Sequence, residues 1–211
     1  MINLRWLIIT SKQKSVPGSL NSLRVLGLSN CGNIKSLFGM TQGYIGLWGL
    51  TIEGCGGLIS FFPILKCLTT LEFLYIANCE KLDLSKGEDN QEEFTISLWV
   101  VGFNELPQLV ALPQWVKQSA RTLQYMAIKD CRNLSWLPEW LPNLTSLRLL
   151  SFTDCPKLAS LPEGKHCLLS LRTFKIEECP ELSRRCQPEI GKDWHKIAHA
   201  SEIYIDGEKI K

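Results

Sequence analysis

One spacing of apolar residues and cysteine recurs seven times along the chain and constrains its fold more than any other feature. Each copy has apolar residues at positions 1, 4 and 6, cysteine at position 9, and apolar residues at position 12 and usually 15. The copies begin 24, 24, 27, 25, 24 and 24 residues apart, at Leu23, Leu47, Leu71, Leu98, Leu123, Leu147 and Leu171. Because one such unit is too small to bury its own apolar side, the period predicts stacked units that share a continuous core.

Each unit is predicted to contain one short strand. The alternation at positions 4 and 6 is typical of a strand with one buried face, and the remaining apolar residues turn the chain back over that face. The period falls in the range of leucine-rich repeats. We therefore expect an α/β solenoid of the horseshoe type, with a parallel β-sheet on the concave face and a mostly irregular or 3-10 convex side.

The regularity of the pattern divides the chain into three parts. Residues 1–20 are interpreted as a degenerate N-terminal repeat, residues 21–185 as the seven repeats, and residues 186–211 as a C-terminal capping segment. The long spacing between the third and fourth copies accommodates an acidic polar insert near 85–93. We interpret that insert as a solvated surface loop.

The cysteines at position 9 are predicted to be packing residues. A nucleophile has no reason to be copied at 24-residue steps, and neither C-x-x-C nor C-x-x-H occurs as a zinc motif. Free cysteine behaves as a small hydrophobe with a weak donor. We call this set the thiol ladder, and leucine replaces cysteine in its fourth rung; its members are Cys31, Cys55, Cys79, Leu106, Cys131, Cys155 and Cys179.

The other cysteines are assigned individually. Cys67 and Cys167 each stand four residues before the first leucine of a repeat and are predicted to pack on the convex side, whereas Cys186 is predicted to be exposed. Ladder cysteines of adjacent repeats would lie about 4.8 Å apart, which is within reach of a disulfide in principle. Parallel side-chain vectors and a reducing cytosol argue against such bonds.

A histidine pair near the C-terminus has two interpretations. His195 and His199 are four residues apart, the spacing that places two ligands on one helix face, and Asp193 is close in sequence. The same stretch also contains Trp194 and Ile197, which would cover the end of the core. We favour the capping interpretation over a metal site.

Acidic residues at position 8 raise the question of paired catalytic carboxylates. Asp130, Asp154 and Glu178 occupy this position in three successive repeats. Carboxylates that repeat with the solenoid form a stripe along its rim and are not paired around a substrate. We therefore expect no catalytic residues, no metal and no cofactor.

Positions 3, 5 and 7 alternate with the buried positions and should point out of the concave face. Three of these residues are aromatic, a composition found in interface hot spots, although scattered exposed aromatics are also normal. The predicted protein-binding residues are Glu53, Phe73, Tyr75, Asn104, Tyr125, Lys129, Ser151, Thr153, Lys175 and Glu177.

Charge and hydropathy restrict the partners. The 23 Lys and Arg residues nearly cancel the 21 Asp and Glu residues, and no run of five basic residues offers an electrostatic footprint for nucleic acid. The longest apolar stretch, 58–68, is broken by polar residues and is shorter than the ~20 residues of a membrane helix. The N-terminal stretch lacks the features of a secretory signal. We expect a protein partner, no nucleic acid, no membrane span, and a cytoplasmic or nucleo-cytoplasmic location.

Four stretches carry a resemblance to a known family. They are "LRVLGLSNCGNIKSL", "LQYMAIKDCRNLSWLP", "LRLLSFTDCPKLASLPEG" and the ending "CPELSRRCQPEIGKDWHKIAHASEIYID". Together they resemble the C-terminal leucine-rich-repeat region of plant nucleotide-binding, leucine-rich-repeat disease-resistance proteins of the coiled-coil class. The resemblance covers essentially the whole chain.

The resemblance implies a non-enzymatic recognition module of an intracellular immune receptor. Such a module binds a pathogen effector or a guarded host protein and, in an intact receptor, restrains the nucleotide-binding module. No G-x-x-x-x-G-K-[ST] phosphate loop occurs here, so nucleotide binding is not carried over. Two alternatives remain: a substrate-recruiting subunit of a ubiquitin ligase, whose repeats can also end their strands with cysteine, and an enzyme with a Cys or His site.

Overall fold

The chain forms a mostly parallel β-solenoid with few helices. The computed structural model describes residues 5–10, 22–35, 37, 46–87, 94–163 and 168–211. Ten strands form one sheet in sequence order. The predicted stacking of parallel strands is thereby confirmed. The strands are β1 (Trp6–Thr10), β2 (Val25–Ser29), β3 (Gly49–Glu53), β4 (Phe73–Ala77), β5 (Val100–Asn104), β6 (Tyr125–Lys129), β7 (Leu149–Thr153), β8 (Thr173–Glu177), β9 (Glu202–Ile205) and β10 (Glu208–Lys209).

The helical content of the described chain is small. Two α-helices are present, α1 (Phe62–Leu65) and α2 (Pro180–Arg185). Three 3-10 helices lie between strands or after the last repeat, at Gln114–Ser119, Leu141–Asn143 and Trp194–Lys196. Proline at the first helical positions of α1 and α2 suits their start, because its missing N–H would have no partner there.

The core is a stack of identical columns. Strands β1 to β9 pair in parallel without a register shift, and β10 turns back antiparallel on β9. The second and fourth residues of every strand from β2 to β9 are buried, as the alternation predicts. Leu26, Leu50 and Leu74 therefore lie above one another in one column, and Leu28, Ile52 and Ile76 in the next. Burying one such side chain contributes about 1.5–3 kcal/mol.

Every strand from β2 to β9 ends at a residue in the left-handed backbone conformation. We call this feature the strand-end turn. Its φ values lie between +48° and +65°, and its residues are Asn30, Gly54, Asn78, Glu105, Asp130, Asp154, Glu178 and Asp206. Glycine tolerates this conformation best because it has no Cβ to approach the following carbonyl oxygen, and the short polar side chains of asparagine and aspartate reduce the cost by hydrogen-bonding locally. The residue type at position 8 is thus set by backbone geometry.

The strand-end turn also links neighbouring repeats. Its N–H donates to the carbonyl oxygen of the last strand residue in the next repeat, for example from Asn30 to Glu53 at 2.8 Å and from Asp130 to Thr153 at 2.9 Å. At the last repeat the N–H of Glu178 donates to Oδ1 of Asp206 at 3.0 Å. A side-chain carboxylate thus replaces the backbone acceptor where the repeats end.

The long spacing before the fourth repeat is bridged by buried side chains. Ser119 Oγ donates to the carbonyl of Ile96 at 3.2 Å and accepts from the N–H of Leu98 at 3.0 Å. The Trp115 ring is buried beside Phe103 and donates through Nε1 to the carbonyl of Leu84 at 3.0 Å. These bonds attach both flanks of the predicted acidic insert to the 3-10 helix at Gln114–Ser119. Residues 88–93 of the insert lie outside the described residues.

A buried ionic cluster attaches the C-terminal segment to the repeats. Asp193 is 1% exposed, and its carboxylate accepts from Arg185 Nε at 2.8 Å and Lys196 Nζ at 2.7 Å. The N–H of Leu161 donates to the same carboxylate at 3.1 Å. Ile197 is buried in the core, and Trp194 packs against it. The cluster therefore ties the segment after α2 to the sixth repeat.

The substitution Asp193→Asn should destabilise the fold by about 3 kcal/mol at neutral pH. It removes the charge that compensates Lys196, which is 4% exposed, and a broken buried pair costs about that much. The measurement is the free energy of unfolding in urea. Glu181→Gln, which removes an exposed partner of Arg184, is the control and should change the free energy little.

The difference in unfolding free energy between Asp193→Asn and the wild-type protein should disappear in acid. Burial raises the pKa of Asp193, but hydrogen bonds from Arg185 and Lys196 outweigh it and hold this pKa below its ordinary value. The stabilisation is complete above the unfolded pKa of about 4 and is lost as the pH falls through the lower folded-state value. A gap between the two proteins that stays constant from pH 7 to pH 2 would contradict this assignment.

Replacing Glu178 with asparagine should stabilise the fold by about 0.5–1 kcal/mol. Glu178 has a φ of +53°, and asparagine adopts the left-handed region at lower cost. Glu177→Asn is the matched control, because Glu177 lies in β8 with extended backbone and should gain nothing. Equal effects at both positions in thermal unfolding would show that the turn conformation does not limit stability.

Candidate functional site

The six cysteines of the thiol ladder are buried beneath the strand ends. Their exposed fractions are 0–3%. Each Sγ lies 3.3–3.5 Å from the carbonyl oxygen two residues earlier, which is the last carbonyl of its own strand. In β3, β4, β6, β7 and β8 that carbonyl also accepts from the strand-end turn of the preceding repeat. The thiol thus supplies a second, weak donor in a space too tight for a larger polar group.

Burial also suppresses the thiolate forms of several ladder cysteines. It raises the pKa of Cys55 and of Cys131 to about 11. The hydrogen bond between the Cys155 and Cys179 thiols raises the pKa of Cys155, which burial also raises, and it lowers the pKa of Cys179. Nucleophilic cysteines require the opposite shift and access to substrate. Leu106 fills the fourth rung and is fully buried, which is consistent with a packing role at this position.

Two predictions for the remaining cysteines are wrong. Cys67 is exposed, because it lies in the turn after α1 while Leu65 and Leu68 fill the core. Cys186 is buried, because it follows Leu182 by four residues on the same face of α2. Burial raises the pKa of Cys186 as well. The prediction for Cys167 lies outside the described residues.

The histidine pair does not converge on a ligand site with Asp193. Both oxygens of the Asp193 carboxylate are engaged by Arg185, Lys196 and the backbone. His199 Nε2 lies 2.8 Å from the carbonyl oxygen of Leu168. Within the described ranges, no group of three or more His, Cys, Asp or Glu side chains is placed to hold a metal ion.

The carboxylates at position 8 are spread along the strand ends, one per repeat. Asp130 lies 3.8 Å from Lys129 Nζ, and Asp154 and Glu178 follow in the next two strand-end turns. Their common feature is the left-handed backbone described above. Their residue type is therefore related to the strand-end turn, and each carboxylate is one strand away from the next along the sheet.

The predicted binding residues all lie on one face of the sheet. We call it the outer sheet face, formed by the first, third and fifth residues of β2 to β8. Glu53 ends β3, Ser151 and Thr153 lie on β7, and Lys175 and Glu177 lie on β8. The other five predicted residues come together on β4, β5 and β6.

These five residues line an open hollow of about 380 Å³. The volume is within the range of ligand pockets, about 300–1,000 Å³. The hollow spans β4 to β6, and its outward-facing lining consists of Phe73, Tyr75, Val100, Gly102, Asn104, Tyr125, Ala127 and Lys129. The structure thus brings half of the predicted residues into one concavity and leaves the other half beside it.

Two small residues form the floor of the hollow. Gly102 and Ala127 are register partners at the centres of β5 and β6. A Cβ placed on Gly102 would lie 2.6 Å from Cδ2 of Tyr75, so the Tyr75 ring lies directly over the glycine backbone. Tyr75 becomes one wall because its neighbour lacks a side chain.

Aromatic rings border the end of the hollow where the strands begin. The Trp48 ring stacks on Phe73 with centroids 6.3 Å apart, and Trp99 meets Tyr125 edge to face at 5.6 Å. Trp48 Nε1 donates to the Glu72 carboxylate at 2.9 Å, which fixes its ring. Exposed aromatic rings of this kind are typical of interface anchors.

The opposite end of the hollow is polar. Asn104 and Lys129 are register partners at the ends of β5 and β6. Asn104 Nδ2 donates to the Glu105 carboxylate at 3.4 Å, whereas its Oδ1 is buried and has no hydrogen-bond partner among the described residues. The side chain of Lys129 is 60% exposed. One buried acceptor and one accessible ammonium thus stand at the same end.

Sequence reasoning missed the residues that create the concavity. Gly102 and Ala127 face outward by their positions, but they carry no chemistry and were not assigned to the site. Trp48 and Trp99 stand at position 2, just before the strands, and were not considered. The available signal was a glycine and an alanine at position 5 of neighbouring repeats, beside a tyrosine in the repeat before them.

Comparison with known proteins identifies no family for this chain. A scan against protein-family models and a search of curated proteins found no match to this chain. Among the described residues, no helix combines the length and the apolar character needed to cross a bilayer.

Native-state alkylation should separate the exposed cysteine from the buried ones. Cys67 is exposed and should react with iodoacetamide in the folded protein, whereas the thiol ladder and Cys186 should react only after unfolding. For Cys55 and Cys131 a pKa of about 11 leaves roughly one thiolate in ten thousand at pH 7, and for the others burial keeps the reagent away from the thiol. Peptide mass spectrometry reports each cysteine separately. A ladder cysteine that reacts as fast as Cys67 in the folded protein would revive a nucleophilic role.

Proposed function

We propose that this chain is the recognition module of an intracellular plant immune receptor of the coiled-coil nucleotide-binding, leucine-rich-repeat class. In this proposal the outer sheet face is the concave face of a leucine-rich-repeat horseshoe. It binds a protein, either a pathogen effector or a guarded host protein, in the cytoplasm. In an intact receptor it also restrains the nucleotide-binding module.

The observation that carries the proposal is the contrast between the two faces of one regular sheet. The inward residues are apolar in every strand, whereas the outward residues include aromatic, basic, acidic and small side chains. The stacking does not require this variety, because the backbone and the inward side chains hold the repeats together. A surface whose backbone geometry is fixed, and whose side chains are not constrained by stacking, is suited to recognition of a partner.

The distribution of chemistry on the outer sheet face supports a protein as the ligand. The hollow on β4 to β6 is apolar at one end, and the charged residues Lys175 and Glu177 lie on β8, two strands further along the same face. Lys175 Nζ lies 4.9 Å from the ring centroid of Tyr204, so its position is defined. An apolar centre with a charged surround is the usual anatomy of a protein interface.

The test is to remove the hollow's side chains and measure partner capture. The variant Tyr75→Ser, Tyr125→Ser, Lys129→Glu should lose at least ten-fold of the partner signal in quantitative mass spectrometry of proteins captured from plant leaf extract. Its thermal unfolding should stay close to wild type, because these side chains lie outside the core. Hot-spot residues each contribute about 2 kcal/mol or more, which makes a ten-fold loss a modest expectation.

A matched variant controls for general loss of surface hydrophobicity. Trp136→Ser, Leu169→Ser, Ile190→Ser removes three exposed apolar side chains that lie outside the strands. It should retain the captured partners. Equal losses in both variants, or none in either, would refute the assignment of recognition to the outer sheet face.

A further inference from the structure

Two arginines stand side by side just before β7 and β8. Arg148 and Arg172 occupy position 2 of the sixth and seventh repeats, and both are exposed. The N–H of Arg172 donates to the carbonyl of Arg148 at 2.8 Å, so their Cα atoms lie one strand spacing apart, about 4.8 Å. We call these two residues the arginine pair.

Position 2 borders the outer sheet face. In the second and fourth repeats it holds Trp48 and Trp99, whose rings contact Phe73 and Tyr125 on the outer sheet face. The arginine pair continues this border beyond β6, because the strands follow one another in sequence order. A molecule bound along the border therefore meets aromatic rings at β4 to β6 and guanidinium groups at β7 and β8.

Neither guanidinium of the arginine pair has an ion-pair partner among the described residues. Glu202 is the register partner of Thr173, accepts from Thr173 Oγ1 at 3.2 Å and lies 3.7 Å from Lys209 Nζ. Glu177 ends β8, and five residue steps place it about 17 Å from Arg172. That distance exceeds the Debye length of about 8 Å at physiological salt. The positive charge is therefore not neutralised by any carboxylate that the structure describes.

This arrangement is electrostatically unfavourable for the protein alone. Like charges opposite each other on adjacent strands repel, and Lys175 adds a third positive charge, which lies 4.9 Å from the Tyr204 ring centroid. Stacking does not require arginine here, because position 2 holds Trp48, Glu72 and Gln124 in other repeats. A bound anion would remove the repulsion.

The backbone at the arginine pair favours a carboxylate over a phosphate. Phosphate sites are commonly built from several free backbone N–H groups. The N–H groups of Arg148 and Leu149 both donate to the carbonyl of Gln124, at 2.8 and 3.0 Å. Those of Arg172 and Thr173 both donate to the carbonyl of Arg148, at 2.8 and 2.9 Å. The guanidinium groups are the donors that remain, and each can bind one carboxylate through two parallel hydrogen bonds.

We propose that the arginine pair binds two neighbouring carboxylates in an acidic segment of the protein partner, and that an apolar side chain of the same segment contacts Trp99 and Tyr125. Two strand spacings, about 10 Å, separate position 2 of the fourth and sixth repeats, which corresponds to about three residues of an extended chain. The first acidic residue therefore follows the apolar one by three positions. This inference rests on the proposed function, because it names the chemistry of the partner that the outer sheet face recognises.

The experiment compares two peptides that differ only in charge. N-acetyl-Leu-Gly-Gly-Glu-Glu-amide and the corresponding Gln-Gln peptide are titrated into the isotope-labelled protein at low salt. NMR follows the backbone amides of Leu149 and Thr173 and the Nε–H signals of Arg148 and Arg172. The Glu-Glu peptide should shift all of these signals and bind about ten-fold more tightly, because hydrogen bonds to charged groups are stronger. In roughly 1 M NaCl, where the Debye length is about 3 Å, most of this preference should be lost.

Two double variants with the same change in charge assign the binding. Arg148→Gln, Arg172→Gln should bring the two affinities within about two-fold, since only neutral donors remain. It should unfold at the same or a higher temperature than wild type, because repulsion between like charges is removed. Arg132→Gln, Lys157→Gln is the matched control: it removes two exposed charges that follow the strand-end turns of the fifth and sixth repeats and should retain the preference.

A third variant tests the apolar contact. Trp99→Ser removes the ring that meets Tyr125 and should weaken both peptides about five-fold while leaving the preference for Glu-Glu unchanged. Weakening of the Glu-Glu peptide alone would show that Trp99 acts on the arginine pair and not on the apolar side chain.

Several results would overturn the inference: equal affinities at low salt, no binding of either peptide at millimolar concentration, or a preference that survives in the arginine-pair variant. Inorganic phosphate that binds the arginine pair more tightly than the Glu-Glu peptide would refute the choice of a carboxylate. Failure of the proposed function is distinct. Partner capture through the outer sheet face without a charge preference refutes the acidic segment alone, and a charge preference without capture refutes the recognition role.

Discussion

The hydrogen bond from each strand-end turn to the next repeat is the interaction on which the rest of the structure depends. A left-handed residue ends the strand and directs its N–H toward the last strand carbonyl of the following repeat, as from Asp154 to Glu177 at 3.0 Å. The same bond therefore stops the strand and fixes its alignment with the neighbour. Because it recurs at every strand end from β2 to β7, the strands stack without a register shift, and outward residues fall into straight columns.

The thiol ladder follows from that turn. The last strand carbonyl points into a narrow space where the chain reverses, and position 9 must fill this space without opening a cavity. Cysteine is small enough, and its thiol can donate to the carbonyl at 3.3–3.5 Å. Leu106 fills the space without donating, and there Asn104 O still accepts from the N–H of Asn78 at 2.9 Å. At position 9, filling the available volume therefore matters more than donating a hydrogen bond.

The sequence predicts those features that repeat. Strands, buried columns and the thiol ladder are each encoded seven times, so the period exposes them even where one copy deviates, as at Leu106. Features built from a single copy are not encoded this way. The Asp193 cluster joins residues 32 apart, Asp193 and Leu161, and Cys186 is buried because of its place on α2. Such contacts depend on how the last elements dock, which no period describes.

The candidate site lies between these two cases. Register follows from the repeats, so the outward direction of Tyr75, Tyr125 and Lys129 could be predicted from position alone. The hollow could not, because it arises from the absence of side chains at Gly102 and Ala127 and from the Tyr75 ring lying over that gap. A concavity is a property of neighbouring columns and not of any one repeat.

The polar end of the hollow is the place where the otherwise consistent hydrogen bonding of the strand ends breaks down. Backbone donors and acceptors there are paired from repeat to repeat, yet Oδ1 of Asn104 is buried without a partner, a cost of about 1–3 kcal/mol. Replacing Asn104 by a threonine or serine, as position 7 has in β2 and β7, would avoid that cost without affecting the stack. The stacking of the repeats therefore does not account for the residue type at this position.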